Sequence, residues 1–270
     1  MNVLINGMSY SFNLFGPEDG EPLLLLHGFT GTKESWAPIL PQLSSKFLVI
    51  TLDLPGHGQT DSSANIKYFT MESVVESISV LLTKLKIEKT NILGYSMGGR
   101  VALSFLCMQP DRVKKCVLES SSPGLKTKEE RLQRQCNDKK LANFLLEKGI
   151  EEFVNYWENI PLFSTQKLLD EQTKKYIRQE RISQNPIGLA NSLKGMGTGV
   201  QPSWWGHLSK ITHPVLILTG EEDRKFCEIG KEMVSLLSNG IYAEIHDSGH
   251  AIHVEKKEKF VKMVMDFLNE

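Results

Sequence analysis

The chain has 270 residues, of which 40 % are apolar and 23 % charged, and its formal net charge is −1. These values are typical of a globular protein with one large domain, or of one domain with an inserted lobe. The balanced charge gives no electrostatic reason to expect a nucleic acid or an acidic membrane as a partner.

The sequence carries no pattern that would place the protein across a membrane. Its apolar runs, such as Leu23 to Leu26, are far too short to cross a bilayer. The first residues lack the basic and then apolar pattern of a secretory signal, so we expect a cytoplasmic protein. The cysteines show no CxxC spacing, which favours free thiols over disulfides or a zinc site; they are Cys107, Cys116, Cys136 and Cys227.

Strands and helices alternate through the first part of the sequence and again near its end. An antiparallel pair of strands is predicted at about 2–6 and 9–15, around Asn6-Gly7. Six buried strands are predicted in PLLLLHG, FLVITLDLPGHG, TNILGYS, VKKCVLESSSPG, HPVLILTGEED and IYAEIHDSGH. Helices are predicted at about 33–43, 71–86, 97–108, 225–237 and 255–268. This alternation favours an α/β fold, with a mostly parallel central sheet flanked by helices.

The alternation stops between about residues 126 and 208. This stretch is rich in charged residues and helix formers, and it is too long and too regular for a structureless loop. We interpret it as a helical cap lobe, 126–208, inserted into a core formed by 1–125 and 209–270. A lobe in this position would cover the carboxyl ends of the strands, where open α/β sheets bind their ligands.

The segment NILGYSMGGR contains a Gly-x-Ser-x-Gly motif between a predicted strand and a predicted helix. This context is typical of a nucleophile elbow, in which a serine sits on a strained turn. Gly94 and Gly98 would let the strand and the helix pack closely around that turn. The helix after Ser96 would point its free N–H groups and the positive end of its dipole at the site. Ser96 is therefore the predicted catalytic serine.

A catalytic serine needs a base, and the base needs an orienting carboxylate. After a nucleophile elbow, the acid follows first along the chain and the histidine second. The candidate acids at a strand end are Glu221, Glu222 and Asp223, in LTGEEDRKF. Asp223 is the predicted acid because its shorter side chain, just before a predicted helix, fits the usual placement.

The base is predicted to be His250, which stands in a Gly-His turn just after the last strand. An imidazole at this position could fold over the end of the sheet. His246 lies inside the strand and is expected to be packed or exposed. His253 begins the last helix and is expected either to support the site or to lie at the surface.

Two backbone N–H groups are expected to form an oxyanion hole. One would come from Met97, directly after the serine, and the other from Phe29, in the HGFTG loop after the first buried strand. His27 precedes the serine in the chain, which argues against a role as the base. Asp53 and His57, in DLPGHG, are expected to hold a rigid turn through bonds to the backbone.

The motifs HGF, DLPGHG, GYSMGG, GEED and SGHA, in this order, resemble the α/β-hydrolase fold superfamily over essentially the whole chain. The resemblance implies an α/β-hydrolase fold with an inserted helical cap, although that fold hosts many reactions. Finer segments resemble the 2-succinyl-6-hydroxy-2,4-cyclohexadiene-1-carboxylate synthase family of menaquinone biosynthesis. They are GYSMGGR, ESSSPGL, ERLQRQCND, YWENIPLF, RISQNPIGLANSL and MGTGVQPSWW.

The resemblance implies a set of site residues on the core and on the predicted cap. They are Tyr95, Ser96, Arg100, Arg134, Trp157, Arg181, Asp223 and His250. The planar guanidinium of arginine suits a carboxylated substrate because it binds a carboxylate through two parallel hydrogen bonds. Two assignments stay open here: Arg131 could take the role of Arg134, and Arg178 that of Arg181.

The activity implied by the resemblance is that of a lyase. It would eliminate pyruvate from 2-succinyl-5-enolpyruvyl-6-hydroxy-3-cyclohexene-1-carboxylate without a metal or an organic cofactor. The expected partner is this small anionic molecule with several carboxylates, and the default state is a monomer. The alternative is a serine esterase or thioesterase that uses the same three residues on a small carboxylated substrate.

Overall fold

Eight strands form one sheet in the computed structural model, which describes residues 1–62 and 65–270. In chain order they are β1 (Asn2–Ile5), β2 (Met8–Phe15), β3 (Glu21–Leu26), β4 (Phe47–Leu52), β5 (Thr90–Tyr95), β6 (Val113–Glu119), β7 (Val215–Gly220) and β8 (Gly240–Ile245). Their spatial order is β1-β2-β4-β3-β5-β6-β7-β8. The predicted hairpin and all six further predicted strands are therefore present, although β8, at the edge of the sheet, is only partly buried.

The sheet is parallel from β4 to β8, while β1 and β2 extend it by antiparallel pairing. The carboxyl ends of the six parallel strands consequently lie along one edge. Strand β5 lies between β3 and β6, near the centre of the sheet. The loop after β5 therefore lies near the middle of that edge. This is the position at which an open α/β sheet offers a crevice for a ligand.

The helices of the core flank this sheet. They are α1 (Leu40–Leu43), α2 (Met71–Lys84), α3 (Met97–Met108), α7 (Arg224–Leu236), α8 (Ile252–Glu255) and α9 (Lys257–Asn269). The helices predicted at 71–86, 97–108 and 225–237 are confirmed. The last predicted helix is present as α8 and α9, which are separated at Lys256, where φ is −139°.

The helix predicted at 33–43 is wrong. The segment forms a short 3₁₀ helix at Lys33–Trp36 and then the single turn of α1. Pro38 and Pro41 lie within the predicted span and have no N–H to donate, so a continuous helix would lose hydrogen bonds there. The prediction gave too much weight to the amphipathic spacing and too little to the prolines.

The polypeptide between β6 and β7 is mostly helical and forms the cap. Its elements are α4 (Lys128–Trp157), a 3₁₀ segment at Pro161–Leu168, α5 (Glu171–Ile182), α6 (Pro186–Met196) and a second 3₁₀ segment at Trp205–Lys210. Helix α4 is interrupted at Gly149, where φ is 82°. The cap has its own apolar cluster between α4 and α6, which includes Leu145, Phe153 and Leu189. The limits of 126 and 208 for the cap lobe stay a prediction.

Successive residues of β3 alternate between two apolar clusters, one on each face of the sheet. Leu24 and Leu26 pack in the apolar cluster that includes side chains of α2 and α3. Leu23 and Leu25 pack in the cluster that includes side chains of α9. All four leucines are fully buried. Helices cover both faces, which explains why the strand reads as a continuous apolar run rather than an alternating one.

The cap and the core meet in a tight seam between α6 and the DLPGHG turn. A Cβ atom at Gly188 of α6 would lie 2.3 Å from the carbonyl oxygen of Gly56 in that turn. Such an approach is far below a normal van der Waals contact, so only glycine fits at Gly188 with the seam closed. Gly56 itself has a φ of 79°, a conformation that favours glycine.

In the part of the chain that the structure describes, every helix is too short or too polar to cross a membrane.

Candidate active site

The turn between β5 and α3 places Ser96 in a strained conformation at the centre of the sheet edge. Its φ is 51° and its ψ is −106°, values that a residue with a side chain rarely adopts. The neighbouring glycine makes this turn possible, because a Cβ at Gly98 would lie 2.0 Å from the carbonyl oxygen of Leu26. The N–H of Ser96 donates to the carbonyl oxygen of Glu119 on the adjacent strand at 2.9 Å. The elbow is thereby fixed to β6.

Ser96, His250 and Asp223 form a hydrogen-bonded relay. The Nε2 atom of His250 lies 2.9 Å from Ser96 Oγ, and its Nδ1 atom lies 2.6 Å from Asp223 Oδ2. His250 is 1 % exposed and Asp223 8 % exposed, so water does not compete strongly for these bonds. Asp223 follows β7 and His250 follows β8, which brings residues 154 positions apart to one edge.

The alternative acids and bases lie elsewhere. Glu221 contacts the exposed His246, with 3.3 Å between the carboxylate and Nδ1, on the outside of the molecule. His253 is 4 % exposed and bonds Glu119, so the surface position considered for it is wrong. It lies beside the relay, since its ring centroid is 4.7 Å from that of Tyr95.

The two groups predicted for an oxyanion hole line the same cavity as Ser96. Met97 is the first residue of α3, so its N–H has no acceptor within the helix. Phe29 lies in the loop after β3, and its ring packs edge-on against Trp157 of the cap at 5.4 Å between centroids. Both residues therefore border the cavity of the serine, and their joint role as an oxyanion hole stays a prediction.

The polar side chains near the loops after β3 and β4 form hydrogen bonds to the backbone, as expected for Asp53 and His57. The carboxylate of Asp53 accepts from the N–H of Lys33 at 2.6 Å and from its Nζ at 2.7 Å. His27 Nε2 accepts from the N–H of Leu54 at 3.0 Å. Burial lowers the pKa of His27, and burial together with His27 lowers that of His57 to about 3, so both rings are neutral at pH 7.

A cavity of about 320 Å³ opens above the serine, between the sheet edge and the cap. Its walls include eight of the predicted site residues: Phe29, Tyr95, Ser96, Met97, Arg100, Arg134, Trp157 and His250. Asp223 lies behind His250, and Arg181 does not line this cavity. Sequence reasoning missed several wall residues: Leu162, Phe163, Ser192, Leu193, Thr198, Lys225, Phe226 and Ile229.

Arg100 reaches the cavity from the first turn of α3. Its Nη1 atom donates to the carbonyl oxygen of Met196 at 2.7 Å and to Gln201 Oε1 at 2.5 Å. Burial, and then the nearby Arg134, lower the pKa of Arg100 to about 9. The guanidinium is still charged at neutral pH and donates its hydrogen bonds to neutral oxygens, while the Asp138 carboxylate partly offsets its charge, so it offers a positive charge to the cavity.

Arg134, on α4, is the cap arginine that lines the cavity. Its Nε donates to Asp138 Oδ1 at 2.8 Å, one helical turn away. Burial raises the pKa of Asp138, while Arg134 and Arg100 act in the opposite direction. Arg131 instead donates to the carbonyl oxygens of Gly199 and Val200 and is absent from the cavity wall. The geometry thus separates the two candidates that the sequence left open.

Arg181, on α5, lies behind Phe163 rather than in the main cavity. Its guanidinium carbon lies 4.7 Å from the centre of the Phe163 ring, and its Nη2 donates to Gln166 at 3.0 Å. It is 7 % exposed, and it borders two further cavities, of about 360 Å³ and 80 Å³, next to the one above Ser96. Arg178 forms an ion pair with Glu158, and both residues border the larger of these two cavities.

Two aromatic residues of the wall carry polar groups toward this region. The Nε1 atom of Trp157 is buried and has no hydrogen-bond partner among residues 1–62 and 65–270. Tyr95 packs between His250 and His253, with ring centroids 5.3 Å and 4.7 Å away. Burial, and then the Glu119 carboxylate, raise the pKa of Tyr95 well above its ordinary value. Its phenol is therefore neutral and can only act as a hydrogen-bonding group.

Two of the segments that carry the family resemblance, ESSSPGL and MGTGVQPSWW, pack against each other beside the cavity. Trp205 Nε1 donates to the carbonyl oxygen of Gly124 at 2.8 Å, and the N–H of Trp204 donates to that of Pro123 at 2.8 Å. Gln201 holds Arg100, as described above. The two segments, far apart in the chain, thus contact each other in the fold, and one of them holds Arg100.

Comparison with known proteins agrees with this geometry. Residues 21–257 match the family model described as the α/β hydrolase fold. The chain belongs to the α/β-hydrolase family. Within the family it is 44 % identical, over 99 % of its length and 98 % of the relative, to a Bacillus subtilis (strain 168) protein. That relative bears, with a provisional qualifier, the name 2-succinyl-6-hydroxy-2,4-cyclohexadiene-1-carboxylate synthase.

Two further α/β-hydrolase relatives support the same grouping. The Photorhabdus laumondii synthase of that name is 30 % identical over 94 % of this chain and 87 % of the relative. The structure of MenH from S. aureus superimposes with a TM-score of 0.92 at 38 % identity, covering 96 % of this chain and 97 % of that one. The predicted fold and the predicted resemblance to these synthases are both confirmed.

Proposed function

We propose that this α/β-hydrolase is a lyase of menaquinone biosynthesis. It would convert 2-succinyl-5-enolpyruvyl-6-hydroxy-3-cyclohexene-1-carboxylate into 2-succinyl-6-hydroxy-2,4-cyclohexadiene-1-carboxylate and pyruvate. The full-length similarity to synthases of that product supports the assignment. The observation that carries it is the Ser96–His250–Asp223 relay, which opens into a cavity walled by Arg100 and Arg134.

The charges in the cavity support a substrate with several carboxylates. Burying a carboxylate is costly unless a cation pairs with it. Arg100, Arg134 and Lys225 place three positive charges on the wall, and Arg100 bonds only neutral groups in the structure. An enzyme for uncharged esters would gain nothing from that arrangement, because positive charges on the wall do not stabilise an uncharged ligand.

The relay supplies a base for proton abstraction. His250 would accept the proton of Ser96 Oγ, and the serine oxygen would remove a proton from the ring carbon next to the succinyl ketone. Asp223 would hold the Nδ1 proton of His250 and stabilise the imidazolium that forms. The transfer from Ser96 to His250 would run along the 2.9 Å hydrogen bond between them, and the 2.6 Å bond to Asp223 would keep the imidazole oriented.

The electrons released at the ring carbon would first move to the ketone oxygen. The N–H groups of Phe29 and Met97 would stabilise that negative charge; removal of one such donor typically costs about 3 kcal/mol. The charge would then return through the ring, form the second double bond and break the carbon–oxygen bond to pyruvate. His250 would return its proton to the departing group, which restores the relay.

The arginines and aromatic side chains would orient the substrate. Arg100 and Arg134 would each bind a carboxylate, and Arg181 would bind a third after a movement of Phe163. The buried and unpaired Nε1 of Trp157 would donate a hydrogen bond to the substrate. Tyr95 would pack against it and hydrogen-bond it, as a neutral phenol.

The test is to incubate the purified protein with the cyclohexene substrate and to follow pyruvate through a coupled dehydrogenase reaction. We expect stoichiometric release of pyruvate together with the absorbance of the cyclohexadiene product. Absence of pyruvate, combined with fast p-nitrophenyl ester turnover that shows an initial burst, would instead identify a serine esterase. Both reactions require Ser96, so only the substrate comparison separates them.

A further inference from the structure

Glu119 is a fully buried carboxylate next to the catalytic elbow, and the proposed mechanism does not use it. It is the last residue of β6, is 0 % exposed and pairs with Tyr95 in the register of β5 and β6. A buried carboxylate weakens a fold unless it is well bonded. Its position at the sheet edge therefore calls for a role.

The backbone and the side chain of Glu119 hold two different parts of the site. Its carbonyl oxygen accepts from the N–H of Ser96 at 2.9 Å. Its Oε1 accepts from the N–H of His253 at 3.0 Å, and both of its carboxylate oxygens lie 2.9 Å from His253 Nδ1. One residue thus joins the elbow to the segment that carries His250, three positions before His253.

The aromatic ring of Tyr95 connects His253 to His250 of the relay. The centroid of Tyr95 lies 4.7 Å from His253 and 5.3 Å from His250. Among the residues that the structure describes, His253 is the sole basic side chain within 4.0 Å of the Glu119 carboxylate. Glu119 and His253 are also absent from the wall of the main cavity, so neither is placed to bind the substrate there.

We propose that Glu119 is a positioning residue that holds Ser96 and His250 at reactive distance by clamping the elbow to the His250 segment. This inference rests on the relay of the proposed function. The relay must be aligned to a fraction of an ångström, because a displacement of 1 Å can cost about 100-fold in rate. Loss of the clamp should therefore lower the reactivity of Ser96 while substrate affinity stays nearly constant.

The test measures the rate at which a fluorophosphonate labels Ser96, together with kcat and KM for pyruvate release. We expect Glu119→Ala to lower the labelling rate and kcat by about 100-fold, with KM nearly unchanged. Glu119→Gln keeps an oxygen that accepts from the N–H of His253 but loses the charge. It should recover part of the rate and remain about tenfold below the unmodified protein.

Asp53→Asn is the matched control, because Asp53 is the other fully buried carboxylate with a basic partner, Lys33. It should lower the melting temperature without changing the labelling rate of Ser96. If Glu119→Ala does not fold, the comparison between Glu119→Gln and Asp53→Asn decides. Native labelling in folded Glu119→Gln, or equal losses in Glu119→Gln and Asp53→Asn, would overturn the proposal.

The labelling reaction does not depend on the natural substrate. If the unmodified protein released no pyruvate, the proposed function would fail, but the comparison of labelling rates would still test the clamp. If pyruvate were released and the Glu119 variants were labelled normally, the clamp alone would fail.

Discussion

The core and the cap contribute to one cavity through residues that are held in different ways. Ser96, Asp223 and His250 follow three strands of the core and bond each other directly. Arg134 and Trp157 project from α4 of the cap. Arg134 bonds Asp138 of the same helix, and the Trp157 ring packs edge-on against Phe29. The ends of the core strands thus carry the proposed catalytic residues, and the cap adds residues that would bind the substrate together with Arg100 and Lys225 of the core.

This division predicts that changes in Ser96, Asp223 or His250 alter the rate, whereas changes in the charged residues of the cavity wall alter affinity. The largest effect is expected for Ser96→Ala, because the relay then has no hydroxyl to ionise. Pyruvate release should fall by about 10⁴-fold or more, with the melting temperature nearly unchanged. Ser45→Ala, at an exposed hydroxyl, is the control, and full activity in Ser96→Ala would remove the serine from the mechanism.

The second effect concerns the two candidate arginines of α4. Arg134→Ala should raise KM about 10- to 100-fold, because a charge-assisted bond to a carboxylate is worth about 1.5–3 kcal/mol. The free energy of unfolding should fall by only about 1 kcal/mol, since the side chain is 40 % exposed. Arg131→Ala should leave KM unchanged. A reversed result, with the larger KM in Arg131→Ala, would contradict the geometry of the cavity wall.

A smaller effect is expected for Arg181→Met, because Phe163 separates this arginine from the main cavity. We expect KM to rise about three- to tenfold, which corresponds to roughly 1 kcal/mol of lost substrate binding. Arg178→Met removes the ion pair with Glu158 and serves as the matched variant, because Arg178 does not line the cavity above Ser96. Equal KM values for both variants and the unmodified protein would show that Arg181 takes no part in binding.

The smallest effect is expected for Lys225→Ala at the rim of the cavity. An exposed charge contributes little to binding, so KM should rise by about two- to threefold at low salt. The increase should disappear in high salt, where exposed charges are screened. Initial rates at two ionic strengths measure this difference, and a salt-independent increase would show that Lys225 contacts the substrate directly.

The core was more predictable from the sequence than the cap because its signals are local. The ten residues around the Gly-x-Ser-x-Gly motif are enough to predict a strand, a turn and a helix. The ends of the later strands then limit the candidates for the acid and the base. The prolines at 38 and 41 were equally local, yet the spacing of apolar residues outweighed them in the prediction.

The cap could not be predicted to the same depth, because helical spacing gives neighbouring faces but not their environment. Arg131 and Arg134 are three residues apart, and only the packing of α4 on α6 decides which one faces the cavity. Phe163, which covers Arg181, lies in the 3₁₀ segment Pro161–Leu168, and this segment has no recognisable pattern in the sequence. Glu119 was also missed, although a lone carboxylate at the end of the apolar strand VKKCVLE was a signal worth following.

The contact of Gly188 with Gly56 has a consequence for protein engineering. A chimera that receives a foreign lid must retain a residue without a side chain at both places, or the lid will sit away from the scaffold. One added methyl group there would open a gap beneath the whole graft. Redesign of the substrate range should therefore leave this joint untouched and vary the wall formed by α4.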